Sequence, residues 1–333
     1  MHDDDIDDAS DDDGTNLSEP ILNELGWELI EEAAGAAGDL NIRPLRTEIG
    51  ATLLDFGCDT AGSLGAGLAL AEISSAGLID LDIDMQTLDG SSWPHLKALT
   101  DTPFEACLLC QFGGWKIHRD GYFAIGSGPM RAAVGAEDIF KEAVYFESAR
   151  RACGVLEADE LPTDRTLSDI ADECGVHPQG LGICVAPVTS IAGSLQVVAR
   201  SIETAMHKLH ETKFDVTRVV SAAGTAPLPP VQIDAIKGIG TTNDAILYGG
   251  SVTLWVEGDD ESIAEIGPQV PSWSSEAAGQ PFAEIFRAAG GDFYAIDPKL
   301  FSPAEIVMLN IDTGRAHRFG RRDESVVAKS FGI

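Results

Sequence analysis

The residue spacings in this sequence that suit chemistry are few, and most fail on closer reading. Cys107-Leu108-Leu109-Cys110 has the spacing of a redox pair or half a zinc site. It has no second pair, and it lies in the apolar run 106–112, where free cysteine behaves as a small hydrophobe, so a core role is expected. His207 and His210 lack accompanying thiols or carboxylates at ligand spacing, and both are expected at the surface. Gly126-Ser127-Gly128, Gly180-Leu181-Gly182 and Gly238-Ile239-Gly240 stop short of GxGxxG, and no GxxxxGKS/T loop, GxSxG elbow or HExxH helix exists. A nicotinamide-dependent dehydrogenase therefore lacks its fingerprint.

Two patterns survive. Small-residue loops stand where strands are expected to end: Ala186-Pro187-Val188-Thr189-Ser190, Gly126-Ser127-Gly128-Pro129, Ala223-Gly224-Thr225-Ala226-Pro227 and Gly249-Gly250. Such loops let a flat ligand approach the backbone, or they are merely tight turns. The other pattern is Arg200 with Glu203. At about 100° per residue, Ile191, Leu195, Val198, Ile202, Ala205 and Leu209 form the core stripe of one long helix over 190–212, and Gln196, Arg200, Glu203, His207 and His210 fall opposite. A solvated ion pair would look the same, yet 190–199 carries no charge, so the first half of that helix reads as enclosed.

The elements that must position these residues alternate. A helix begins near Pro20, a buried strand covers 51–56, and a helix opens at the Gly-rich 62–67. Residues 79–85 alternate apolar side chains with Asp, as a strand with one wet face does. Beyond Ser148, strands are expected at 153–157, 182–186, 216–222, 251–257 and 293–296, a short helix at 166–174, and a hairpin over 305–317 turning at Asp312-Thr313-Gly314. The fold class is α/β: a two-lobed mixed subunit, with lobes at 19–150 and 151–333 and a C-terminal segment free to return to the first.

The chain has 54 acidic and 22 basic residues, a net charge of 22 − 54 = −32. Eight Asp fall within residues 1–13, and 1–18 reads as a disordered acidic extension. The field repels nucleic acid and anionic membranes. No stretch approaches the roughly 20 apolar residues of a span, and no signal peptide is visible, so a cytoplasmic protein is expected. Molar salt shortens the Debye length to about 3 Å and screens this charge, which suits a salty cytoplasm.

SIAGSLQVVARSIETAMHK at 190–208, with GSGPMRA (126–132), DVTRVVSAAGTAPLPPV (215–231), TNDAILYGG (242–250), WVEGDDE (255–261) and FYAIDPKLFSPA (293–304), resembles the archaeal-type methenyltetrahydromethanopterin cyclohydrolases. The resemblance runs from about residue 17 to the C-terminus. It departs from the family at Thr100-Asp101-Thr102-Pro103, which lacks the usual histidine before the proline, and at Val188.

The resemblance implies a homotrimer with the active-site cleft between lobes, and reversible hydrolysis of the methenyl bridge of 5,10-methenyltetrahydromethanopterin to the 5-formyl product. It implies no metal or organic cofactor beyond the carrier. The family's catalytic Arg-x-x-Glu falls on Arg200 and Glu203, with Glu203 expected as the base that activates water. Ser127, Gly128, Ser190, Ser194, Gln196, Thr225 and Asn243 are then candidates for the pterin edge, and Arg131 for the anionic tail. Two alternatives remain: the same chemistry on 5,10-methenyltetrahydrofolate, and a pterin-binding protein without catalysis.

Overall fold

The computed structural model describes residues 21–333, so the extension expected over 1–18 lies outside it. Twelve strands among these residues form two six-stranded sheets. The first runs β1 (Arg43–Arg46), β2 (Thr52–Asp55), β8 (Leu181–Ala186), β7 (Ala152–Glu157), β6 (Tyr122–Ser127) and β5 (Trp115–Arg119). The second runs β12 (Ala316–Gly320), β11 (Glu305–Asn310), β10 (Ser251–Val256), β9 (Val219–Pro227), β4 (Ser91–Thr100) and β3 (Asp80–Leu88).

In the first sheet, the parallel trio β2, β8 and β7 has both faces covered, which is why these strands read as nearly unbroken apolar runs. Leu53, Leu156, Ile183 and Val185 pack with Leu167 and Ile170 of the helix Asp164–Glu173. On the opposite face, Leu54, Val155 and Cys184 meet Trp27 and Ile30 of α1 (Leu22–Gly35) and Leu70 of α2 (Leu64–Ser74). The second sheet buries one face, where Ala222, Val252, Leu254 and Met308 receive Ile202, Ala205 and Leu209. Its other face carries a row in register, Leu99 opposite Ala223, Ala223 opposite Thr253, Thr253 opposite Val307. That row is half-exposed, with Leu99 at 49%.

The mixed α/β class is as expected, and several elements differ from expectation. Both sheets draw strands from either side of residue 150: β6 pairs with β7, and β4 pairs with β9. The C-terminal strands do return to the sheet that holds β3 and β4.

The single helix over 190–212 is two helices, α3 (Ile191–Val198) and α4 (Ser201–Glu211). Between them Ala199 and Arg200 flatten to ψ −10° and 13°, and the Arg200 amide bonds back only three residues, to Val197 O at 3.2 Å. The strand expected at 216–222 starts three residues later, because Asp215 caps a 3₁₀ turn over Val216–Arg218. The strand expected at 293–296 is a 3₁₀ turn, Phe293–Ala295; Phe293 stacks 4.6 Å from Phe286 and 5.9 Å from Phe282 instead of joining a sheet.

The segment 104–111 carries the least expected element, a π-helix over Phe104–Gln111 packed against α4. Pro103 precedes its first turn, where its missing N–H costs nothing. Cys107 and Cys110 lie within it, free, fully buried and with thiols pushed up by burial, in keeping with the core role expected.

Among the described residues no helix is long and apolar enough to cross a membrane.

Candidate active site

α3 begins on the first sheet and α4 lies on the second, so the break between them sits where the two sheets meet. At its start, Ser190 caps α3: its Oγ accepts from Gly193 N at 2.9 Å and donates to Pro187 O at 2.8 Å. The fit is close, since a Cβ on Gly193 would lie 2.0 Å from Pro187 O. Leu195 and Val198 then reach Leu96 and Ala226 of the second sheet. Arg200 emerges at the break with its side chain directed to the first sheet.

Each nitrogen of its guanidinium donates a hydrogen bond. Nη2 donates to Ser127 Oγ at 2.9 Å and to Gln196 Oε1 at 3.0 Å, Nε also to Gln196 Oε1 at 3.3 Å, and Nη1 to the main-chain oxygen of Gln111. Thus Arg200, Gln196 and Ser127, three of the residues singled out in the sequence, form one network, with the C-terminal end of the π-helix as its fourth member. Gly128 follows Ser127 with φ 96°, its amide bonded to Cys110 O at 2.8 Å. A Cβ there would stand 3.1 Å from Gly154 Cα, so this turn requires glycine.

Glu203, one turn into α4, is 4% exposed. No ion pair joins it to Arg200, and among the described residues no donor hydrogen-bonds its carboxylate. Burial pushes its pKa up to about 7, while the positive charges of Arg200 and Arg131 pull the other way. An enclosed carboxylate with free lone pairs and a pKa near neutrality can take a proton from water and give it back.

Of the two histidines beyond it, His207 departs from the surface placement expected and His210 keeps to it. His207 is half-buried and stacks on Phe112 at 4.3 Å, its pKa lowered by burial. His210 pairs with Glu142 at 2.7 Å.

Arg131, expected at the anionic tail, lies inside the protein. It is 1% exposed, grips both oxygens of Glu137 at 2.8 and 2.6 Å, and donates to Leu108 O and Cys110 O. Its guanidinium lies 5.0 Å from the Phe112 ring, so Phe112 is layered between Arg131 and His207. Its bonds to Leu108 O and Cys110 O pin the π-helix.

The remaining candidates are dispersed. Ser194 is buried on α3, its hydroxyl without a protein partner among the described residues. Thr225 accepts from Gln86 Nε2 at 3.2 Å on the half-exposed face of the second sheet, whereas its neighbour Gly224 faces Ser201 and Ile202. Asn243, on α5 (Ala235–Leu247), bonds Ile239 O within its own helix at 2.8 Å. Neither joins the Arg200 network.

Two residues of the site were missed. Glu157 ends β7 directly opposite Ile125, on the face that carries α3, and no hydrogen bond or ion pair reaches its carboxylate among the described residues. Burial raises its pKa, Arg200 opposes, and Asp159 adds to the rise. A carboxylate ending the apolar run CGVL is the signal that could have found it.

Gln111 is 0% exposed with neither Nε2 nor Oε1 hydrogen-bonded. It stands four residues after Cys107, which packs with Ile202 and feels the charge of Glu203. In a helix bonded i→i+5, residues four apart share a side, so the amide faces α4. An orphaned buried amide costs about 1–3 kcal/mol, and π-turns collect at functional sites. Gln111→Met is therefore expected to raise the thermal midpoint or leave it unchanged, while turnover falls about tenfold or more. Calorimetry and steady-state rates check the two halves.

A family model described as Cyclohydrolase (MCH) matches residues 21–331. The chain is 46% identical over 320 residues to the methenyltetrahydromethanopterin cyclohydrolase of Rhodopirellula baltica, covering 95% of this chain and 96% of that one. It is 38% identical to the enzymes of that name from Methylobacillus flagellatus, over 94% of this chain and 96% of that, and Methanospirillum hungatei, over 93% and 98%.

Proposed function

The chain belongs to the methenyltetrahydromethanopterin cyclohydrolase family, and from that premise we propose that Glu203 is the general base of a hydrolase acting on a cyclic amidinium. The reaction is the reversible hydrolysis of 5,10-methenyltetrahydromethanopterin to 5-formyltetrahydromethanopterin. The single observation that carries the role of Glu203 is its enclosed carboxylate, free of hydrogen bonds and pushed to a pKa of about 7.

The bridge carbon of the substrate is already electrophilic, because the amidinium is cationic. Water attacks it, and Glu203 takes the proton as the carbon–oxygen bond forms, giving a neutral carbinolamine. Collapse releases the hydroxyl proton to solvent, forms the formyl carbonyl and breaks the bond to N10, which receives the proton held by Glu203. One proton is released overall, balancing the lost positive charge. Arg200 stays turned toward Ser127, Gln196 and Gln111, where it favours an ionised Glu203 without meeting the substrate cation.

Ser127, Gly128, Gln196 and Ser194 supply the polar wall for the pterin, on the strength of their places around Arg200 and α3. No organic cofactor beyond the carrier takes part. The assembly is a homotrimer, and the half-exposed row of Leu99, Ala223, Thr253 and Val307 supplies largely apolar area for a second copy to cover. The protein works in a salty cytoplasm, as the charge of −32 suits.

The experiment is the decay of methenyl absorbance with the tetrahydromethanopterin and the tetrahydrofolate substrate in turn, at low and at molar potassium chloride. Turnover of the former, faster in molar salt, is expected. Activity on neither would sink the hydrolase reading.

A further inference from the structure

The site holds more carboxylate than general base catalysis needs. Glu157 stands opposite Ile125 in β6 and opposite Ala186 in β8, at the carboxyl end of the first sheet's parallel strands. Side chains two apart on a strand share a face, so Glu157 follows Val155 toward α3, and Ile125 follows Ser127, the partner of Arg200. Ile125 and Arg200 converge: one point, the Cβ that Gly113 lacks, lies 3.4 Å from Ile125 Cγ2 and 3.5 Å from Arg200 Nη1. Side chains directly opposite in a sheet lie about 5 Å apart, which brings Glu157 alongside the Arg200 guanidinium. Yet Arg200 gives its donors to Gln111, Ser127 and Gln196, and Glu157 keeps its lone pairs.

We propose that Glu157 is the counter-charge of the cationic substrate, an inference that rests on the hydrolase reading above. Charge counting in the enclosed site carries the argument. Arg131 is matched by Glu137, which leaves Arg200 positive and Glu203 and Glu157 negative, a surplus of one negative charge. The amidinium cation brings the sum to zero. When water adds, the substrate becomes neutral and Glu203 becomes neutral with the proton it takes, so Arg200 and Glu157 remain as an offset pair and the sum is again zero. Without Glu157 the loaded site would carry a net positive charge at both stages, in surroundings of low dielectric where that is costly. A cation bound beside Glu157 also opposes the burial that raises its pKa.

The test is Glu157→Gln, with Glu157→Asp as the charge-retaining companion, in the otherwise intact protein. Three quantities are read: KM for the methenyl cation, KM for the neutral formyl compound in the cyclising direction, and kcat. The Gln variant is expected to raise KM for the cation at least tenfold, to change KM for the formyl compound less than twofold, and to lower kcat by less than threefold; the Asp variant restores most of the lost affinity. A merely structural role would move both KM values together, and that outcome, or no change in either, overturns the proposal. If the Gln variant fails to fold, an Asp variant that weakens both ligands alike overturns it too. Absence of turnover in the unmodified protein is a separate outcome, which removes the hydrolase reading and this inference with it.

Discussion

Glu203→Gln is expected to fold, to bind the pterin and to hydrolyse it about 10³-fold more slowly, in the middle of the 10²–10⁴ that a positioned acid or base contributes. The amide keeps the volume and removes the proton acceptor. With Glu203 as the proposed base, kcat/KM of the parent is expected to rise with pH through about 7 for hydrolysis and to fall over the same range for cyclisation of the formyl compound, which needs the protonated form. The variant loses both limbs.

Stability moves the other way. Because the folded pKa of Glu203, about 7, lies above the ordinary 4.5, its contribution to stability is fully present below pH 4.5 and is lost as pH rises through 7. That loss is about 3 kcal/mol at 1.36 kcal/mol per unit. The Gln variant therefore gains most over the parent above pH 7, in a denaturant titration repeated at pH 5 and pH 8. Turnover within tenfold of the parent would exclude Glu203 as the base.

Arg200→Ala is expected to cost kcat/KM about 100-fold at pH 7 and to recover part of it as pH rises. With the guanidinium gone, burial acts on Glu203 with less opposition, so the rising limb of the hydrolysis profile shifts to higher pH. The substitution also strands three acceptors, Ser127 Oγ, Gln196 Oε1 and Gln111 O, at about 1–3 kcal/mol for each that water cannot reach. Lysine carries the charge but not the planar fork that meets acceptors from three segments at once. Arg200→Lys should thus restore the position of the profile more fully than its height. An unshifted profile in the Ala variant would show that Arg200 acts through shape alone.

Much of this was legible in the residues. The stripe Leu195, Val198, Ile202, Ala205 and Leu209 is buried as its periodicity requires, and the alternating Asp of β3 faces water. The break at Ala199 and Arg200 was not legible, because both residues suit a helix and the cause lies elsewhere, in acceptors on β6 and the π-helix that draw the guanidinium aside. The surroundings of Arg131 were hidden for a related reason: nothing local to GPMRA indicates that Glu137 and two π-helix carbonyls converge on its side chain. Gln111 and Glu157 look incidental in sequence, each a lone polar residue beside an apolar run. Beyond the carboxylate at the end of CGVL, it is the register of the strands and the orphaned amide that single them out.

The interleaved sheets also constrain how the chain acquires its structure. Leu99 pairs with Ala223 and Thr52 with Gly182, so each sheet closes across more than a hundred residues. Pairings of that span are slow, because the entropy of closing the loop is lost before any contact is gained. During synthesis the β3–β4 hairpin must wait for β9 to emerge, with Leu96 and Ala98 still uncovered. No cut between the sheets yields two self-sufficient pieces, and the break between α3 and α4 that presents Arg200 forms only once both sheets have closed.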